Sequence, residues 1–386
     1  VNDQGNDLPA TSAYLDMDTA EHLPLDRPVW RSASGRPLMI TPLAGIRRGD
    51  IDRSNRSLWR YAKSLPLHVA EPISLGEGCT PLVERKVDGA GVFCKLEWVM
   101  PTGSFKDRGA SVMLSVLRQQ GIDAVLEDSS GNGGAAIAGY AAAGGMKAKI
   151  LVPASTQPGK TVQMRAYGAE VELVEGPRQA TADAAVRQSD TIFYASHNWQ
   201  AFFLQGTKTL AYELWEDLGF RAPDNVIIPL GAGSNVLGCD IGFGELKRSG
   251  EIDRLPRLFG VQPERCAPIH ASFVAGVDMP VPVEIGPTIA EGTAIAQPVR
   301  LKEVIAALRR SGGRTVTVSE AALEAALWQS AREGLYVEPT SAGTFAAYRQ
   351  LLAAGVIGRD QTTVLVLTGS GLKATQRVAG LMGVEM

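Results

Sequence analysis

From about residue 90 onward the chain repeats one arrangement: a short β-branched run, a loop carrying Gly, Ser, Thr or Asn, then a stretch rich in Ala and Leu. That alternation is how strands and helices read when they take turns along a chain, and it restricts the fold to the α/β class. Runs at 92–98, 124–127, 149–152, 171–174, 226–230 and 363–367 are the expected strands. VIIPL and TVLVL are apolar at nearly every position, which suits strands covered on both faces of a parallel sheet. Helices are expected at 109–119, 135–143, 207–218 and 320–332. The first 70 residues are rich in Arg, Asp, Ser and Pro and read as an irregular arm with a helical piece near 57–65.

Composition narrows the partners. A chain of 386 residues with 45% hydrophobic and 20% charged residues builds two or three globular units. With 38 Lys and Arg against 41 Asp and Glu, no surplus charge draws it to phosphate backbones or anionic lipids, so neither nucleic acid nor membrane is expected as a partner. No stretch of about 18 apolar residues is present. Cys79, Cys94, Cys239 and Cys266 are too scattered for a zinc ribbon or a redox dithiol, and a reducing, cytoplasmic setting is expected.

Four loops at strand ends carry the candidate chemistry. In PTGSFKDRG, Lys106 lies near a helix start, where free amides and the helix dipole disfavour a cation and leave a better nucleophile toward carbonyls. The bland alternative is a solvated lysine in a capping segment, with Ser104 as the cap and Asp107 complementing the dipole. The second loop, Ser129, Ser130, Gly131, Asn132 and Gly133, can bring backbone amides close to an anion and offers an amide side chain. Gly131, Gly133 and Ala136 satisfy a dinucleotide fingerprint, but no acidic residue ends the following ILVPA strand to hold a ribose. The third, residues 154–161, resembles a phosphate loop with Ala154 in place of its first glycine and Pro158 removing an amide, so nucleotide hydrolysis is not expected. The fourth, Gly231, Ala232, Gly233, Ser234 and Asn235, follows VIIPL and makes a cradle suited to one phosphate. Thr368, after TVLVL, stands in a comparable place. An amine, a monophosphate cradle, an amide donor and a hydroxyl at strand ends are the parts that pyridoxal 5'-phosphate requires.

These segments carry a family resemblance. SLWRYAKSLPL, SLGEGCTPLV, KLEWVMPTGSFKDRGA, SSGNGGAAIAGYAAAGG, LQGTKTLAYEL, PLGAGSN, GLYVEPTSAG and LTGSGLK occur in the order found in fold-type-II pyridoxal-phosphate enzymes, and the chain is similar to their threonine synthase-like branch over about residues 57–374. The resemblance implies two open twisted α/β domains with the active site in the cleft between them. It divides the chain into an arm (1–70), a large cofactor-binding domain (71–106 and 206–386) and a smaller mobile domain (107–205). It implies Lys106 as the Schiff-base lysine, Asn132 as donor to the ring hydroxyl, Gly231 to Asn235 as the phosphate loop and Thr368 as neutral partner of the ring nitrogen. Ser129, Ser130, Gly131 and Gly133 would hold the carboxylate of a small amino-acid substrate. The implied activity is a lyase or replacement reaction at a β or γ carbon, with O-phosphohomoserine to threonine foremost and a serine- or threonine-type ammonia-lyase or a β-replacement synthase as the alternatives; a homodimer is implied as well. The chain also departs from the pattern. Phe202 and Phe203 stand where many members carry a phosphate-binding arginine, so Lys208, Arg300 or another cation must replace it, or the leaving group is uncharged or smaller. Ile289-Ala-Glu-Gly292 is closer to amino-acid dehydratases.

Overall fold

The computed structural model describes residues 11–156, 158–176 and 178–385. Two open sheets dominate it. The larger has six strands in the order Arg314–Val318, Arg257–Pro263, Asn225–Pro229, Thr363–Leu367, Ala90–Leu96 and Leu82–Val87, parallel except for the last pair. The smaller has four parallel strands in the order Glu170–Val174, Lys147–Pro153, Ala124–Glu127 and Phe193–Tyr194.

The apolar runs explain the layering. Val226, Ile228, Val364 and Val366 enter one core with Val236, Leu237 and Phe243 of helix Ser234–Arg248. Their neighbours Ile227, Leu365 and Leu367 enter another with Phe345 and Tyr348 of helix Pro339–Ala353. Alternate residues of one strand therefore serve opposite faces, which is why the strand is apolar throughout.

Several boundaries differ from the sequence reading, each for a local reason. The helix expected from 109 begins at Lys106, because Asp107 turns back to accept the Thr102 amide at 2.7 Å and closes the first turn. Its N-cap position is Phe105, and Ser104, expected as the cap, makes no side-chain hydrogen bond among the described residues. The stretch 207–218 is two helices, Ala201–Thr207 and Thr209–Asp217, meeting at Lys208. The strand expected to reach 98 ends at Leu96 in a 3-10 turn, Glu97–Val99. Within the arm, Ala13–Leu15 pairs antiparallel with His22–Pro24 and with Met39–Ile40, and a 3-10 helix spans Leu58–Ser64. Among the described residues no helix is long and apolar enough to cross a membrane.

Candidate active site

A cleft of about 750 Å³ opens between the two sheets and is lined from both. Lys106, Ser129, Ser130, Gly131, Asn132 and Gly133 border it, with Gly231, Ala232, Gly233, Ser234, Asn235 and Thr368 facing them. The structure thus brings into one cavity every residue that the sequence assigned to the cofactor or to the substrate carboxylate.

Lys106 is positioned by its neighbours in the chain. The Arg108 guanidinium, fully buried, donates to Glu97 through Nε at 2.7 Å and Nη2 at 2.8 Å, and to Glu213 through Nη1 at 2.9 Å. Gly109 lets the Phe203 ring approach so closely that a Cβ there would lie 2.4 Å from it. Gly206 does the same for the Arg108 carbonyl, 2.0 Å from where its Cβ would be. With Asp107, Arg108 and Gly109 fixed, the lysine has little choice of direction. No other described residue takes a hydrogen bond from its amine, which lies 4.6 Å from the Phe105 ring centre and 5.6 Å from that of Phe203. Burial lowers it from the usual 10.5 to about 8, against the opposing pull of Glu127 and Glu338. An amine in that condition is a competent nucleophile and proton carrier near neutral pH.

On the far wall, helix Ser234–Arg248 starts immediately after Gly233, whose φ of +95° lies in the left-handed region that glycine adopts without strain. A Cβ there would also strike Val304 at 2.3 Å. The helix points its free amides into the cleft, and Asn235, only 2% exposed, leaves both side-chain polar atoms without a partner among the described residues. Orphaned buried polar atoms beside a helix N-terminus fit an anionic ligand group such as the cofactor's phosphate.

Glu338 joins the two walls and was not assigned a role from sequence. It accepts from Asn132 Nδ2 at 3.0 Å and from Thr368 Oγ1 at 3.1 Å, while Ser341 Oγ lies 2.9 Å from that same hydroxyl. Burial raises its carboxyl above the usual range. A second missed pair is His197 and Glu127, with Nδ1 to Oε1 at 2.7 Å. These residues are 70 positions apart, and no local spacing announces them.

The cations proposed to replace the missing arginine lie elsewhere. Lys208 is buried and gives its amine to Glu245 and the Ser64 carbonyl. Arg300 gives its guanidinium to the carbonyls of Leu38, Asn198 and Trp199. Apart from Lys106, the cations that line the cleft are also engaged: Arg178 with Asp128, Lys160 and Arg377 with Glu291, and Lys373 with the Thr102 carbonyl and Gln163. In the segment that resembled a phosphate loop, Ser155, Thr156, Gly159 and Lys160 also border the cleft, and the chain is helical from Pro158.

The comparisons with known proteins agree with this architecture. The threonine synthase of Methanosarcina acetivorans is 36% identical over 330 residues, covering 83% of this chain and 81% of its own. That of Methanocaldococcus jannaschii is 34% identical over 325 residues, covering 82% and 80%. Among solved structures, the threonine deaminase of T.th. superposes with a TM-score of 0.64 at 28% identity over 75% of this chain and 92% of its own. Maize serine racemase shares the fold with a TM-score of 0.67 at 22% identity, over 79% and 93%. A family model described as pyridoxal-phosphate dependent enzyme matches residues 73–369, and with a buried amine, a glycine-rich helix start and an amide side chain meeting in one cleft between the sheets, the chain belongs to the pyridoxal-phosphate dependent enzymes of fold type II.

Proposed function

We propose that the chain is a lyase of threonine-synthase type, acting by elimination or replacement at the β or γ carbon of an amino acid. The observation that carries this reading is the meeting of Lys106, an amine free of hydrogen bonds to described residues, with the Gly231–Asn235 cradle across one cleft. Bound there, the cofactor supplies an electron sink for a carbanion at Cα.

The protein's own residues do the rest. Gly231 to Asn235 hold the phosphate with helix amides and the Asn235 side chain. Asn132 donates to the ring hydroxyl. Thr368, whose Oγ1 lies 3.1 Å from Glu338, would give its hydroxyl proton to the ring nitrogen as a neutral partner. Ser129, Ser130, Gly131 and Gly133 hold the substrate carboxylate at the start of helix Asn132–Ala143. Lys106 would hold the cofactor, and as the amine facing the cleft it would accept the Cα proton and carry it to later steps. The four-stranded unit (107–205) moves against the large one (71–106 and 206–386) and excludes water from the carbanion. The reading includes a homodimer in the cytoplasm, with the 1–70 arm as an added contact; three buried, unpaired cysteines suit a reducing setting.

Two substrates compete within this class. The curated relatives favour O-phosphohomoserine, giving threonine and phosphate. The buried Phe203 and the engaged cleft cations favour a β-hydroxy amino acid, as an ammonia-lyase or β-replacement synthase would take. Borohydride reduction of the yellow protein followed by peptide mapping should place the cofactor on Lys106. A label on another residue, or no bound chromophore after cofactor addition, rejects the reading. Incubation with phosphohomoserine, serine, threonine and acetylated serine, with phosphate, keto acid and new amino acid followed, separates the substrates.

A further inference from the structure

Beside the carboxylate turn, the cleft wall contains one titratable pair that this chemistry has not used. Glu127 ends its strand with no exposed surface and gives both oxygens to one residue: Oε2 accepts the backbone N–H of His197 at 3.0 Å, and Oε1 lies 2.7 Å from its Nδ1. A carboxylate gripping one histidine twice fixes the plane of the ring. The surroundings are fitted to it. A Cβ at Gly133 would lie 2.7 Å from the imidazole, so only glycine at 133 leaves the ring its place. The Phe203 ring stands behind, with centroids 5.7 Å apart, and Arg300 clamps the next two carbonyls, Asn198 and Trp199. His197 lines the cleft, and among the described residues nothing hydrogen-bonds its Nε2.

Resting on the reading that Lys106 and the Gly231–Asn235 cradle hold the cofactor, we propose that His197 is a proton-transfer residue of this site. It protonates an oxygen leaving the side-chain carbon, and the substrate is an amino acid with a free hydroxyl on its β carbon. Glu127 is its positioning residue. Lys106 takes the Cα proton, and the electron pair left behind ends in a Cα–Cβ double bond. The Cβ–O bond breaks with its pair on oxygen, the Nε2 proton of His197 joins it, and water leaves. As Nε2 gives up its proton, Nδ1 takes one from the Glu127 carboxyl; solvent restores that proton as Lys106 releases the one from Cα, so nothing is oxidised or reduced.

Leaving-group chemistry selects the substrate. Hydroxide departs only with a proton, whereas a phosphate ester needs none and brings two charges that demand cationic donors. The charged groups facing the pair are Lys106, Asp128 and Arg178, and Arg178 is already paired with Asp128. Burial raises Glu127 to about 7 and, with Lys106, holds His197 well below its usual value, so near neutrality Glu127 offers its proton to Nδ1 and the neutral imidazole keeps its own on Nε2.

The test compares two probes on the holoenzyme, L-serine, whose hydroxyl needs a proton to leave, and β-chloro-L-alanine, whose chloride does not. His197→Asn should lower kcat for serine by about 10²–10⁴-fold and for the chloro compound by less than about threefold. Glu127→Gln should displace the pH profile with serine and leave that with the chloro compound in place. Nitrogen-15 spectra of the histidines, of which there are four, should show a neutral His197 with its proton on Nε2 below about pH 7 and on Nδ1 above it, a change that Glu127→Gln abolishes. Equal losses on both probes, a His197 proton confined to Nδ1 at every pH, or turnover of phosphohomoserine but not serine would each overturn the proposal. Failure of borohydride to fix the cofactor on Lys106 is a separate result, and it would remove the underlying reading itself.

Discussion

Lys95 and Lys106 are both taken into the protein interior, yet their surroundings differ in kind. The Lys95 amine meets Glu213 at 2.7 Å, Asp217 at 2.7 Å and the Thr80 carbonyl at 2.6 Å. Lys106 has ring faces around it and no hydrogen-bond acceptor among the described residues. Burial works against the charge of both. At Lys95 the carboxylates overcome it and raise the amine above its usual value, whereas at Lys106 they do not and it falls to about 8. One site is completed by the fold, and the other is completed only when a ligand arrives. That difference separates a structural lysine from a reactive one without appeal to motif.

The largest effect expected from this contrast concerns turnover. Lys106→Met should lower kcat by at least about a thousandfold, since nucleophile and base are lost together. Single-turnover assays of cofactor-loaded variant and parent would measure it. A variant retaining a tenth of the activity would place the proton carrier elsewhere.

Next comes stability on the Lys95 side. Glu213 neutralises both Lys95 and Arg108, at 2.7 and 2.9 Å. Glu213→Gln would leave two buried cations short of a partner and should cost about 3–5 kcal/mol in denaturant unfolding. A cost within about 0.5 kcal/mol would show that Glu97 and Asp217 suffice, and would weaken the contrast.

The same Lys106→Met variant should stabilise the cofactor-free protein by roughly 1–3 kcal/mol at pH 7, because it removes a buried charge without removing a hydrogen bond. The sign follows from the lowered value. Below about pH 8 the amine is protonated in folded and unfolded chains alike, and the whole cost of burying it is present. Between about 8 and the usual 10.5 the folded chain loses its proton first, so the parent gains stability as pH rises and the advantage of the variant disappears. Unfolding curves at pH 7 and pH 11 measure this directly; an advantage at both would trace to packing instead.

How much of this was legible in the sequence depends on whether the physics was local. VIIPL and TVLVL announce central strands because alternate residues face two cores, and the loop after each strand announces a ligand edge. Arg257–Pro263 and Arg314–Val318 also belong to the large sheet but begin with arginine, and RTVTV alternates in the manner of a half-buried strand, which hid them. The arm strands are two or three residues long, and what makes them strands is their partners, not their composition. Cradle and lysine could be located because each is a strand end followed by a helix start. Glu338 could not be assigned a role, because its meaning is the simultaneous contact with Asn132 and Thr368, 206 and 30 positions away.

That shared carboxylate motivates the smallest prediction. Asn132 belongs to the helix after the carboxylate turn, and its Nδ2 donates to Glu338 of the opposite wall at 3.0 Å. When the cofactor is bound, the same amide must serve the ring hydroxyl, so its energetic gain is the difference between two hydrogen bonds rather than one bond gained from nothing. A neutral hydrogen bond contributes about 1 kcal/mol net, and a kcal-scale change in the barrier is roughly a factor of five to ten in rate. Asn132→Ala should therefore reduce kcat by about that factor while the protein still takes up cofactor, because the helix amides and Asn235 provide the main anchor. Cofactor content by absorbance, set beside steady-state rates, tests both halves. Unchanged rates would make Asn132 a turn residue that merely ties the two walls, whereas loss of cofactor would show that the cradle is not sufficient alone.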